Sequence, residues 1–458
     1  MIQYKYVYLN LNFEEKTLIY NKKKVGIYTL GCKVNQYESE AIAETFLARG
    51  YEIASDEDSC DIYVINTCTV TAESDRKARQ FIRRARSHNP EAFILVTGCL
   101  AQTSASSVAK IDGVDYICGN GEKLSVADAA DKLLDQGRKN SASEIFVSDI
   151  DSAPFEKMNI CHFDRTRAYI KIEDGCESRC TYCIIPKARG KIRSKAPADV
   201  LCEVNTLIEG GCREIVLTGI ETASYGKDIE GCSFADLLCL VDKAQGIGRV
   251  RLGSLDPSSI NERFVEKIAP LSSLAPHFHL SLQSGSDRVL ALMKRRYNSK
   301  MAMRAIELLR SAMPDVQFTT DVIVGFPGET EEDFLQTLEF CKKANFLKIH
   351  IFPYSKREGT PAASMPEQIS KDIKRERLQR LSKVEKASRL EILSKAVSEA
   401  PVYEVLFETY DEKNKTVIGH TKNFFEVCAK SDVPLHSELR QVKLISTDGE
   451  RCFGEIVI

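Results

Sequence analysis

A chain of 458 residues with 63 Lys and Arg against 65 Asp and Glu has a net charge of −2, so its overall balance selects neither a polyanion nor a membrane surface. Its 43% hydrophobic and 28% charged residues are those of a globular chain long enough for two to four domains. No stretch approaches the roughly 20 apolar residues of a membrane span, and no signal-peptide pattern opens the chain, so a cytoplasmic protein without membrane contact is expected.

Residues 1–22 read as an extension ahead of the first domain. From there the pattern is α/β. Residues 25–30 (VGIYTL) predict a strand, 36–49 a helix stopped by Gly50, 61–67 (DIYVINT) a second strand and 71–87 a second helix. Strands at 92–98 and 114–118 complete a doubly wound parallel sheet over a domain spanning 23–136. Residues 137–160 have no strong period and read as a linker. Within 161–392, strands are predicted at 167–175, 213–219, 249–255, 278–284, 316–325 and 346–355, with a helical segment between each pair. Six such units are too few for a closed eight-fold barrel and imply an open, partial (β/α)6, TIM-like one. The stretch from 371 to about 398 is helical and basic, with eight Lys and Arg against three Asp and Glu over 371–389. Short, evenly spaced strands over 393–458 predict a small antiparallel β-barrel.

Sixteen cysteines are many for a reducing compartment, where they serve as thiols or metal ligands rather than disulfides. In EDGCESRCTYC, Cys176, Cys180 and Cys183 are spaced C-x3-C-x2-C, with no fourth cysteine nearby. Three thiolates hold three irons of a four-iron cluster and leave the fourth open to a ligand. Structural zinc wants four closed ligands, and His162 lies before the intervening strand. Cys32, Cys68 and Cys99 each follow directly on an apolar strand of the first domain. Parallel strands bring all three to one sheet edge, where such folds bind ligands, and a second three-cysteine cluster is the better account of them. Cys60 and Cys118 lack that context.

These segments resemble the methylthiotransferase branch of the radical S-adenosylmethionine superfamily over nearly the whole chain after residue 22. The matching pieces include LGCKVNQYESE, INTCTVT, VTGCLAQ, EDGCESRCTYCIIPKARGKIRS, HLSLQSGSDRVLALMKRRY, TTDVIVGFPGETEEDF and FPYSKREGTPAA. Within the branch, GCKVNQYESE and CTVTAESDRKAR are similar to the enzymes acting on N6-threonylcarbamoyladenosine in tRNA. The resemblance implies one [4Fe-4S] cluster on Cys176, Cys180 and Cys183, an auxiliary one on Cys32, Cys68 and Cys99, and two S-adenosylmethionine molecules per turnover. It implies as substrate a tRNA anticodon stem-loop carrying the modified adenosine-37, whose C2 is methylthiolated. It further implies a tRNA-binding TRAM domain at 393–458, a flavodoxin- or ferredoxin-type electron donor and a separate sulfur source. The same chemistry on isopentenyladenosine tRNA or a ribosomal-protein aspartate is the near alternative. An RNA-binding protein with a structural metal is the alternative of another class.

For S-adenosylmethionine, the candidates are Tyr182 between two cluster ligands and Glu221, Gln283 and Asp321 near strand carboxyl ends. Each reads equally as a barrel-interior polar residue in a hydrogen-bond network. For RNA, one basic segment holds Arg76, Lys77, Arg79, Arg83, Arg84 and Arg86, and another follows Cys183 with Lys187, Arg189, Lys191, Arg193 and Lys195. The helix over 371–389 joins them. The last barrel is acidic, with seven Lys and Arg against eleven Asp and Glu from Ser398 onward, so it would use a local patch of Lys413, Lys415, Lys422 and Lys430. Runs of charge more often form a solvated face.

Overall fold

The computed structural model describes residues 22–55, 57–137, 143–163, 165–399 and 402–457; the extension read over 1–22 lies, but for its last residue, outside them. Six strands form one parallel sheet: β1 (Lys24–Thr29), β2 (Glu52–Ala54), β3 (Ile62–Thr67), β4 (Phe93–Gly98), β5 (Tyr116–Cys118) and β6 (Glu144–Phe146), in the order β2-β1-β3-β4-β5-β6. Helices Lys33–Ala48, Ala72–His88, Cys99–Val108 and Ser125–Gln136 connect them. All six residues of β3 are buried, as a central strand covered on both faces requires. The stretch 137–160 is not all linker. Glu144–Phe146 pairs in parallel with β5 and ends the sheet, a segment of three exposed residues too short to show a period.

The second body holds β7 (Arg167–Lys171), the short antiparallel pair β8 (Glu173–Asp174) and β9 (Arg193–Ser194), then β10 (Glu214–Thr218), β11 (Arg249–Leu252), β12 (His277–Gln283), β13 (Gln317–Val324) and β14 (Lys348–Pro353). Two parallel sheets, β11-β10-β7 and β12-β13-β14, are joined by the parallel bridges Val250–Leu274 and Leu255–Leu280 into an open barrel of six main strands. Ile170, Ile215, Leu217, Val250, Leu252, Phe278, Leu280 and Phe318 pack outward into the helical core. The alternate residues turn the other way and are largely polar, among them Arg167, Lys171, Glu214, Arg251, His279 and Asp321.

The last five strands, β15 (Val402–Asp411), β16 (Thr416–Thr421), β17 (Glu426–Lys430), β18 (Leu439–Thr447) and β19 (Cys452–Ile456), close into a barrel in the order β15-β16-β17-β19-β18. It is not wholly antiparallel. β18 pairs with β15, so β19 closes the gap by running parallel to β17. The loop before β17 presents Phe424 to the amino end of the open barrel. Its ring stacks on His277 at 4.3 Å and on His420 at 4.8 Å, with the Arg251 guanidinium 4.8 Å from its centre. Arg249 donates to the carbonyls of His420 (3.1 Å) and Glu404 (2.8 Å), and Arg167 pairs with Glu408 at 2.9 Å. The helix Lys371–Glu399 links the two barrels. Much of its basic charge is spent inward: Arg377 on Glu329, Arg380 on Glu331, Arg389 on Glu385 and Lys374 on the Tyr354 carbonyl. Among the described residues no helix is long and apolar enough to cross a membrane.

Candidate active site between the sheet and the open barrel

Cys32, Cys68 and Cys99 stand just past the ends of β1, β3 and β4, which are neighbours in the sheet. The surrounding loops are buttoned together by short polar side chains. The Asn35 amide donates to the carbonyls of Leu30 (2.7 Å) and Thr67 (3.0 Å), and the Thr67 hydroxyl accepts from the Leu100 N–H at 3.2 Å. Gly31 is required where it stands: its φ is +107°, and a Cβ there would lie 2.8 Å from that of Cys68. The three thiols are within electrostatic reach of one another. Burial pushes the Cys68 thiol up to about 11 and raises that of Cys32.

Cys176, Cys180 and Cys183 occupy the loop after β8. The Cys176 N–H donates to Gly190 at 3.0 Å, and the Thr181 N–H to Met293 at 3.1 Å. Gly175 allows the tight entry, since a Cβ there would meet the Lys191 carbonyl oxygen at 1.9 Å. Burial pushes Cys176 up to about 11 and Cys183 up to about 12. Arg295 donates to Cys180 Sγ at 3.2 Å and pairs with Asp256 at 2.7 Å. All sixteen cysteines are free.

A buried knot of charge lies between the two thiol sets. Glu38 of the first domain accepts from Lys171 (2.9 Å), from Arg189 (3.0 Å) and from Lys123; Asp174 accepts from Lys171 and Arg189, each at 3.2 Å. Burial opposes the Glu38 charge, but Arg189, Lys123 and Lys171 outweigh it and hold the carboxyl well below its usual range. Four cations, Lys123, Lys171, Arg189 and Arg193, thus lie by three carboxyls, Glu38, Asp174 and Glu156, and Arg189 and Lys123 reach Cys32 and Cys99. An uncompensated buried cation is costly, and an anionic thiolate-bound cluster is the counter-charge such a place suits. Neither thiol set closes to the 4.8 Å that ligands of one ion require; among the described residues His279, Asp321 and His350 alone do so. Each set offers three thiols, the number that holds a four-iron cluster with one iron open, whereas structural zinc is closed by four ligands.

Of the residues assigned to S-adenosylmethionine, Tyr182 lies by Cys180, Cys183 and Arg295 with its ring edge-on to Phe326, and Glu221 lies within reach of Cys176 and Arg295. The Glu221 N–H donates to Glu173, whose carboxyl burial raises well above its usual range. Gln283 adopts φ +65° at a bulge ending β12. Asp321 sits deeper, 3.2 Å from His279 Nε2.

The RNA assignments need correction. Arg189 and Arg193 do not form an outer rim. Arg189 is wholly buried in the knot, and Arg193 donates to the carbonyls of Ile150 and Arg189 and lies 3.7 Å from Asp174. Lys195 is likewise buried on Glu203. Lys422 donates to the Ser272 carbonyl in the seam between the two barrels. Arg84 pairs with Glu57 at 2.9 Å, Arg86 turns in to the Ala92 and Gly113 carbonyls, and Arg79 and Arg83 face outward. Reading the sequence missed Glu38, Lys123, Lys171 and Arg295; Glu38 and Arg295 lie in the matching segments, but nothing in the spacing of any of the four distinguishes an inward charge from a solvated one.

Three thiols on one loop at the carboxyl edge of an open parallel barrel define a radical S-adenosylmethionine protein, and the model of the radical SAM superfamily matches residues 170–341. Residues 24–119 match the uncharacterized protein family UPF0004. Among curated proteins, the threonylcarbamoyladenosine tRNA methylthiotransferase MtaB of Bacillus subtilis is 40% identical over 426 residues, covering 92% of this chain and 93% of that one. The tRNA-2-methylthio-N(6)-dimethylallyladenosine synthase of Aquifex aeolicus is 35% identical, covering 95% and 99%. The chain belongs to the radical S-adenosylmethionine tRNA methylthiotransferase family and is an enzyme. Among solved structures, the radical S-adenosylmethionine methyltransferase TsrM of Kitasatospora setae shares the fold, with a TM-score of 0.54 at 15% identity over 75% of each chain.

Proposed function

We propose that this enzyme methylthiolates C2 of N6-threonylcarbamoyladenosine-37 in tRNA, with one [4Fe-4S] cluster on each cysteine set and two S-adenosylmethionine molecules per turnover. The observation that carries the reading is the second thiol set, Cys32, Cys68 and Cys99, beside a buried surplus of positive charge. The choice of adenosine is supported by 40% identity to the threonylcarbamoyladenosine enzyme against 35% to the dimethylallyladenosine one. When bound, the clusters and S-adenosylmethionine supply the electron, the carbon radical and the sulfur that an adenine C–H without acidity or leaving group demands.

The chain supplies position and charge. Arg295 steadies the thiolate of Cys180, and Tyr182, Glu221, Gln283 and Asp321 bind the polar groups of S-adenosylmethionine. The polar interior of the open barrel admits a base splayed from an RNA loop. Outward-facing Arg79 and Arg83 follow the RNA backbone, as do Lys413 and Lys415 of the last barrel in its role as a TRAM domain. A flavodoxin- or ferredoxin-type donor and a separate sulfur source serve the reaction in the cytoplasm.

Mass spectrometry of tRNA nucleosides from a strain lacking this protein tests the assignment. Loss of the 2-methylthio group with retention of threonylcarbamoyladenosine is expected. An unchanged level overturns it, and loss of methylthiolated isopentenyladenosine instead transfers the activity to that substrate. Anaerobic reconstitution is expected to load about eight irons and yield 5′-deoxyadenosine under reduction.

A further inference from the structure

Next to Cys32 the chain places Lys33, the first residue of the helix Lys33–Ala48. The side chain is open to solvent space, yet its charge acts on Arg167, Arg251, Glu214 and Asp321, and on His277 and His350. Glu38 of the same helix accepts from the inward-facing Lys171 at 2.9 Å, so the start of this helix lies on the barrel side of the first domain, and Lys33 with it.

The arginines and His279 there are committed. Arg251 makes two hydrogen bonds to Glu214, at 2.7 and 3.2 Å. Arg249 is paired with Glu404 at 2.9 Å, and Arg167 with Glu408 at 2.9 Å. His279 is held between Asp321 (3.2 Å) and the Thr319 hydroxyl (2.8 Å). Lys348, on the edge strand β14, lies within reach of Glu385 on the long helix. Among the described residues Lys33 makes no ion pair within 4.0 Å. It is an ammonium one residue from a thiol of the sulfur-bearing set, unpaired among the described residues, with Glu214 and Asp321 the acidic groups whose charge reaches it.

Its place bears on the choice between modified adenosines. The N6 substituent and C2 share one edge of the adenine ring, separated by N1. A base held with C2 toward Cys32, Cys68 and Cys99 brings its N6 substituent to the rim of that set, where the exposed Lys33 stands beside Cys32. A threonylcarbamoyl group brings a carboxylate there; an isopentenyl group brings only hydrocarbon and would strip water from the ammonium without replacing it. We propose that the Lys33 ammonium binds the threonyl carboxylate and so determines which modified adenosine is accepted, an inference that rests on threonylcarbamoyladenosine being the substrate.

The full-length, anaerobically reconstituted enzyme can be tested on anticodon stem-loops differing in one group: threonylcarbamoyladenosine, its methyl ester and isopentenyladenosine. RNA binding by fluorescence anisotropy and methylthiolation rate are both measured for the wild type, Lys33→Met and Lys33→Arg. The wild type is expected to bind the carboxylate roughly 10- to 100-fold more tightly than the ester, the span of one hydrogen-bonded charge pair. Lys33→Met should bring that ratio near one, and Lys33→Arg should keep most of it. Because both RNAs meet the same preparation, a loss of folded or loaded protein cancels in the ratio. A ratio undiminished in Lys33→Met, or absent from a wild type that still modifies threonylcarbamoyladenosine, overturns the role of Lys33 alone. A wild type that modifies only the isopentenyladenosine stem-loop overturns the substrate reading itself.

Discussion

Arg189 stands in a run of alternating basic residues, KARGKIRSK, and nothing in that run separates it from Lys187 or Lys191. The fold separates them, because the loop after β8 lies against the first domain and carries one guanidinium into Asn35, Glu38 and Asp174. Glu38 is the anion on which Arg189, Lys123 and Lys171 all converge. Glu38→Gln would leave Lys171 and Arg189 on Asp174 and Lys123 without its ion pair, and removing one partner from a buried pair costs about 3–5 kcal/mol. A loss of that size is expected in the unfolding free energy from urea titration of the metal-free protein. A change below about 1 kcal/mol, the range of surface pairs, would show that the knot is not what holds the two domains. Where the six cysteines fall in the fold was legible beforehand, since strand ends and one tight loop place them whatever packs around them. The arginines were not, because a charge pattern carries no record of which surface another domain will cover.

At the level of elements, the apolar runs marked the strands well, because central parallel strands are buried on both faces and leave unbroken hydrophobic stretches. What escaped was β2, β9 and β6, segments of two or three residues too short to show a period, and the parallel β17–β19 pair, which closure of the last barrel imposes and no local pattern encodes. The Phe424 loop belongs to this scale too. In sequence, KNFFEV lies inside TVIGHTKNFFEVCA, which reads as one strand; in the fold it holds the turn between two, and Phe424 pins the last barrel, its ring between His277 and His420 and under Arg251. Phe424→Ala removes two stacks and two cation–π contacts, from Arg251 and Arg167, and should weaken the docking by roughly 2–3 kcal/mol. Hydrogen exchange is expected to speed up across β15 and β16 while β3 and β4 keep their protection. Equal loss of protection in all four strands would mean that the ring supports the whole molecule rather than this one junction.

Across the whole molecule the last barrel carries a charge balance of −4, yet it sits on a barrel floor rich in arginine, and Glu214 makes that arrangement stable. Burial alone would raise its carboxyl, but Arg251, Arg167 and Arg249 outweigh burial and hold it down to about 2, from an ordinary 4.5. A carboxyl whose folded value is depressed contributes stability above the unfolded value and loses it as pH falls toward the folded one. The contribution is therefore whole above pH 4.5 and lost between there and pH 2. At 1.36 kcal/mol for each unit, the depression corresponds to about 3 kcal/mol. With Glu214 protonated, the three guanidiniums repel one another beneath Phe424, so the last barrel is expected to release before the parallel sheet unfolds. Glu214→Gln should be less stable than the wild type at pH 7 and nearly equal to it at pH 2. Unfolding free energies measured across that range should therefore rise less steeply with pH in the variant, and parallel curves would remove Glu214 from the acid response.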